Sequence, residues 1–383
     1  MQLKIRFSLL ASQLLVASSL MAEDYVSVQY MRYDEDSGRT TVSTPSIEIS
    51  KDFGVDYNLK LSYAHDALSG ASPTWYDSSS GATTTIADGT HYKDDIVYGD
   101  IPYEDTRNAL GVTFTTRFAS RDELTLGFNY SGENDYTSRE ASAEYLHYLD
   151  SSKNRSLSFG LSFQKNDITV FCDKQECDTS SGASANISEE DITVLSTELG
   201  FTQIIDATSL VKASVFYIGE DGYLSNPYMN VVRDYDTSLK LILEKKPDTR
   251  AAYGALVQYS KSFVDALSAH VSYRFYHDDW KITSHTINTE FYYELQKRLT
   301  LGVGVRYYLQ SEAYFYNASK DYFTDEKYAS SDRRMSAFDS YNLMFSAKYD
   351  VRDDLSINGS VNAYSQPKYF DSLYYNMGFI YKF

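Results

Sequence analysis

The chain has 383 residues and a formal net charge of −18, which speaks against a nucleic-acid partner because phosphate binding needs a basic face. Only 43% of residues are hydrophobic, and past the N-terminus no run of about 18 apolar residues exists, so helices spanning a membrane are excluded. The 6 prolines and 19 glycines argue against disorder, and 36 tyrosines suit a surface that is greasy at one end and wet at the other.

At the start, Lys4 and Arg6 precede an apolar stretch over 7–21, with Ala17, Ser18, Ser19 and Ala22 leading to Glu23 and Asp24. That is the layout of a secretory signal peptide cleaved after Ala22. Residues 1–22 are therefore expected to be removed on export, leaving 23–383 as a single domain. Further along, Cys172 and Cys177 lie close together in a polar segment. Outside the cytoplasm such a pair fits a disulfide closing a small loop, and a two-thiolate metal site is the other reading.

Period-2 alternation runs through 124–131, 157–164, 267–276, 299–310, 341–348 and 355–364. In 299–310 one face carries Leu299, Leu301, Val303, Val305, Tyr307 and Leu309, and the other Thr300, Gly302, Gly304, Arg306, Tyr308 and Gln310. Alternation alone says that one face of a sheet is buried. The polar faces hold Lys60, Arg117, Glu198, Lys212, Arg274, Glu290, Arg306 and Lys348, which a dry core would not accept. The apolar faces tend to end in tyrosine, as at Tyr57, Tyr63, Tyr130, Tyr307 and Tyr349. Apolar outside, polar inside and aromatic at the ends is the pattern of a transmembrane β-barrel. The fold class expected is all-β, an antiparallel up-and-down barrel in the outer membrane of a Gram-negative bacterium.

Short turns fall near 51–55, 119–122, 150–154, 205–208, 262–266, 296–298 and 351–354. Longer loops fall near 34–40, 67–105, 132–137, 165–190, 219–249, 277–281, 311–337 and 366–371. Such barrels keep short turns on the periplasmic side and long loops outside. Seven turns and eight loops predict sixteen strands, with fourteen and eighteen as neighbouring counts. The strand-like stretch 238–243 would make an odd number and is placed in an outer loop, as a hairpin projecting above the membrane. The last strand alternates Leu373, Tyr375, Met377, Phe379, Tyr381 and Phe383, ending on the aromatic. This resembles the C-terminal signature read by the barrel-assembly machinery.

Candidate chemistry is sparse. The 67–105 loop carries Asp77, Asp88, Asp94, Asp95, Asp100, Glu104 and Asp105 against Lys93. Clustered carboxylates can hold a divalent cation or bridge one to lipopolysaccharide, though no calcium-loop spacing is present. His277, Asp278 and Asp279 precede Trp280, with His285 nearby, and could supply metal ligands or form a polar hairpin tip with its Trp at headgroup level. An enzyme reading has only His65 beside Asp66, which as strand neighbours point to opposite faces, or Asp66 with His277 across the rim. No enzyme and no cofactor are expected. The mixed lumen charges argue against strong ion selectivity.

Several stretches together resemble the bacterial domain-of-unknown-function family numbered thirty-five seventy. They are Asp66-Ala-Leu-Ser-Gly-Ala-Ser-Pro73, Asp105-Thr-Arg107, Gly222-Tyr-Leu-Ser-Asn-Pro-Tyr228, Pro247-Asp-Thr-Arg250 and Tyr273-Arg-Phe-Tyr-His-Asp-Asp-Trp280. Ser284-His-Thr286 and Arg306-Tyr-Tyr308 follow. His277 stands where the family pattern has an aromatic, and Asn226 where it has Asp. The resemblance implies the barrel over nearly the whole mature chain and leaves activity open. It directs attention to an outer rim with Asp66, Ser69, Tyr223, His277, Asp278 and Asp279, where pairs such as Asp105 with Arg107 would brace loops. The functional expectation is a channel or transport protein for small polar solutes or ions. The alternative is a surface barrel with a blocked lumen, whose outer loops engage a metal, lipopolysaccharide or protein.

Overall fold

A computed structural model describes residues 24–36, 39–78, 96–171, 187–237, 239–318 and 325–383. The expected signal peptide, residues 79–95 of the acidic 67–105 stretch, and both Cys172 and Cys177 lie outside the described residues.

The strands are long. In chain order they are β1 (Tyr25–Glu35), β2 (Thr40–Phe53), β3 (Tyr57–Asp77), β4 (Ile96–Arg117), β5 (Glu123–Gly132), β6 (Tyr136–Tyr148), β7 (Arg155–Phe171), β8 (Ile187–Asp206) and β9 (Ser209–Gly222). Then come β10 (Asn230–Arg233), β11 (Lys240–Leu243), β12 (Thr249–Val264), β13 (Leu267–Asp278), β14 (Thr283–Gln296), β15 (Leu299–Gln310), β16 (Phe338–Arg352), β17 (Leu355–Gln366) and β18 (Phe370–Lys382). All except β10 and β11 join edge to edge in one antiparallel ring, closed by β1 against β18. Sixteen strands close the barrel, as the turn count predicts. Closure removes both sheet edges, so every strand pairs on both sides, which a hydrocarbon environment demands.

Opposed partners in an antiparallel pair share a face, so the register carries one face around the ring. Val305 lies opposite Leu343 and Thr289, and Leu343 lies opposite Ala363. That face is the outer one, where Leu110, Phe128, Phe159, Leu199, Val257, Phe345 and Phe379 stand exposed. The alternate positions put Lys60, Arg117, Glu198, Lys212, Arg274, Glu290, Arg306 and Lys348 on the inner wall. Several are balanced there. Lys60 lies 3.7 Å from Glu48, Arg117 3.8 Å from Asp52, and Lys348 3.3 Å from Asp350. Arg274 stacks over Phe216 at 4.7 Å, and Glu290 accepts from Tyr292 and Asn288 at 2.8 Å. A ring of this size is wide enough for water.

The alternation makes a sharp test. Phe345→Arg, at the middle of β16 on the outer face, should cost about 2–4 kcal/mol, while Ser346→Arg on the inner face should cost little. Urea refolding into bilayers compares them. Equal losses would mean that lipid does not cover the apolar face.

The two ends of the ring differ. At one end the connections are short, and the first and last strands begin and finish there. At the other end the β3–β4 pair continues well past the expected strand limit, staying in register as far as Asp77 opposite Ile96. Chain 223–248 carries the small β10–β11 hairpin there. Gly222 lets the chain leave β9: its φ is +122°, and a Cβ would collide with the Asp191 carbonyl oxygen. The stretch expected to project above the membrane does form a hairpin, but it does not stand free. Val231, Val232 and Leu241 are buried.

Candidate outer-mouth site

The motif residues meet at the loop end of the ring. Asp66 on β3 faces inward opposite Arg107 on β4 and is buried. Both Nε and Nη2 of Arg107 reach Asp66 Oδ2, and the Thr44 hydroxyl donates to Oδ1. Arg107 thus pairs with Asp66 across the β3–β4 seam. The carboxylates of Asp105, Glu133 and Asp135 group within 4.8 Å of one another, and Asn134 donates to Asp105.

On the far side of the ring a second pair has the same chemistry. Arg250 on β12 donates from Nε and Nη2 to Asp278 Oδ2 on β13, at 2.9 and 2.6 Å. The Tyr276 hydroxyl donates to the same oxygen at 2.9 Å, and the Ile282 N–H to Oδ1 at 2.9 Å. The guanidinium lies 4.6 Å over Trp280, whose indole N–H donates to the Thr249 carbonyl at 3.0 Å. Trp280 is buried against Ile282, Ala313 and Phe315, so it is not a headgroup anchor. Two stretches that resemble the family pattern, 247–250 and 273–280, are therefore the halves of one brace.

The candidate metal ligands do not converge. His277 is opposite Tyr253 and His285 opposite Phe275, which puts both histidines on the outer face, whereas Asp278 points inward. His277 bonds Thr283 at 2.8 Å, and His285 bonds Tyr273 at 2.7 Å. Asp279 and Ser69 are exposed. Tyr223 packs beside Ile168, Val170 and Ile192. His65 bonds Asn108 at 3.0 Å on the outer face, away from Asp66.

What sequence reasoning missed is the assembly these braces support. Chain 223–248 leaves between β9 and β12, yet Asn230 donates its N–H to Thr74 and its amide to the Trp75 carbonyl on β3, six strands away around the ring. Trp75, Ile96, Val232 and Leu241 form one buried cluster. From a third direction, the β15–β16 loop puts Ala329 against Val231 and pairs its backbone with Lys245. Arg333 of that loop then reaches Tyr98 on β4, again six strands away. Segments that far apart on a ring can touch only across its mouth. Together they roof it.

At the seam of the roof is a charge cluster. Lys246 Nζ lies 2.7 Å from Glu244 and 3.3 Å from Asp332, and all three side chains are at most 4% exposed. Ser330 donates to Glu244, the Asn226 N–H donates to it at 2.7 Å, and Arg334 grips Asp332 at 2.5 Å. Burial pushes the Glu244 carboxyl above its ordinary value, against the opposing pull of Lys246. Burial works on Asp332 in the same direction, but Arg334 and Lys246 overcome it and hold that carboxyl below the usual range.

A family model described as "Protein of unknown function (DUF3570)" matches residues 7–378. Among solved structures, CdiB from Acinetobacter baumannii aligns with TM-score 0.53 and 6% identity, covering 94% of this chain and 60% of that one. A bacterial polysaccharide outer membrane secretin aligns with TM-score 0.51 and 8% identity over 94% of this chain and 98% of that one. The ferric enterobactin receptor from Pseudomonas aeruginosa aligns with TM-score 0.45 and 10% identity over 90% of this chain, which spans only 54% of that receptor's length. At such identities the likeness to the first two shows the barrel fold alone. A comparison with curated proteins finds no match.

Proposed function

This chain belongs to the DUF3570 family, and from that membership and its barrel we propose an outer-membrane transport protein whose outer mouth is closed at rest by its own loops. The observation that carries the reading is Lys246, buried between Glu244 of one loop and Asp332 of another, at the seam of segments that meet across the ring. Below the roof the wall is polar and of mixed charge, which suits small polar solutes or ions without strong selectivity. Passage then requires the roof to part.

Planar bilayers test this. The unmodified protein should be silent or nearly so at moderate voltage, and a variant lacking 226–246 should give regular conductance steps. Large steady steps from the unmodified protein would mean an open pore. Silence from both would leave a surface or structural barrel as the better account.

A further inference from the structure

The geometry points to a binding site for a small oxyanion, a carboxylate or a phosphate, at Arg333 in the roof. This goes beyond the closed-mouth reading and does not depend on conduction.

Arg333 opens a short 3₁₀ turn capped by Asp332. Its guanidinium lies over two aromatic rings, 4.8 Å from the centroid of Tyr98 on β4 and 5.2 Å from that of Tyr369 in the β17–β18 turn. The Tyr369 hydroxyl donates to Ser336 at 2.8 Å, which fixes one of the rings. Stacking engages the faces of a guanidinium and leaves its N–H edges to bond.

Those edges have no carboxylate. Arg39, Arg107, Arg250 and Arg334 each have one within 3.3 Å. Among the described residues Arg333 has none, although it is partly buried. The acid next to it in the chain, Asp332, is already taken by Arg334 and Lys246. The Tyr98 hydroxyl beside it is buried and has no hydrogen-bond partner. A cation drawn from water without an acceptor is costly, and so is an orphaned hydroxyl. Two oxygens of a carboxylate or phosphate match the guanidinium fork, and one of them can also accept from Tyr98. In a chain of net charge −18, in which Arg39, Arg107, Arg250 and Arg334 each hold a carboxylate, a stacked guanidinium without one among the described residues is a recognition feature.

The test is calorimetric titration of the full chain in detergent with inorganic phosphate, acetate and chloride at fixed ionic strength. Phosphate and acetate should saturate, and chloride should not. Arg333→Gln should weaken binding by about tenfold or more, and Arg333→Lys should only partly restore it because the fork is lost. Tyr98→Phe keeps the stack, removes one donor and should cost about threefold. Arg298→Gln, at the opposite end of the barrel, should change nothing. Heat-modifiability on gels confirms that each variant is folded. Competition by lipid A would place the oxyanion on lipopolysaccharide, and its absence would assign it to a free solute. If Arg333→Gln titrates like the unmodified protein, or if neither phosphate nor acetate saturates, no such site exists.

Discussion

Replacing Lys246 by methionine should part the roof without unfolding the barrel. Methionine fills nearly the same space, so the change is almost purely electrostatic. It leaves Glu244 and Asp332, both buried, without the cation that lies between them. Breaking a buried pair by removing one partner costs about 3–5 kcal/mol. Asp332 keeps Arg334 in direct contact, whereas among the described residues Glu244 keeps the Ser330 hydroxyl and the Asn226 N–H as donors, with Arg334 acting on it through space. The loss therefore falls on Glu244. A shift of that size moves a closed–open equilibrium by about two to four powers of ten. In bilayers the variant should flicker open where the unmodified protein is silent, and trypsin should cut within 223–248.

The variant should also recover as pH falls. Burial already favours the protonated form of Glu244, and loss of Lys246 removes a group that opposes this. Its penalty is present when Glu244 must be charged and shrinks once it can take a proton. Lys245 is the control, since its side chain is exposed and its contact with Ala329 is through backbone, so Lys245→Met should stay within about 0.5 kcal/mol. Equal protease resistance and equal silence in both variants would remove Lys246 from the closing mechanism.

The barrel was legible in the sequence because lipid imposes a period. At 299–310 and 355–364 every second residue must be apolar, and the structure keeps those faces through every register. The roof was illegible for the converse reason. Its segments are covered on both sides, so Pro73, Thr74 and Trp75 are buried in succession, as are Val231 and Val232, and no alternation survives to be read. This is why β10 gives no sequence signal and why a strand-like 238–243 seemed free to project. Partners across the mouth leave no spacing either: Lys246 and Asp332 are 86 residues apart. The rim pairs were half legible. Period 2 separates His277 from Asp278 as surely as it separates His65 from Asp66, so the metal grouping of His277 with Asp278 was already doubtful on geometry alone. That Arg107 answers Asp66 and Arg250 answers Asp278 follows only from the register.

Asp278→Ala should be the most damaging change within that motif. Asp278 is fully buried and accepts from Arg250, Tyr276 and the Ile282 N–H. Alanine leaves Arg250 with Glu220 at 3.5 Å and the Trp280 ring, and strands two other donors. The cost should be about 3–5 kcal/mol, read as a drop in the urea midpoint or in the temperature at which the heat-modifiable band is lost. Asp279→Ala, next door and exposed, should stay within about 0.5 kcal/mol. His277→Phe should be equally mild, because His277 already lies among aromatics on the outer face, 5.4 Å from Tyr253. The contrast decides what the motif is for. A brace predicts that only the buried acid matters and that stability is what it loses. A ligand site predicts the reverse: Asp279 and His277 would matter, and stability would hold while binding failed. If Asp278→Ala and Asp279→Ala unfold at the same urea concentration, the brace is wrong, and the outer rim must be read again as chemistry rather than as packing.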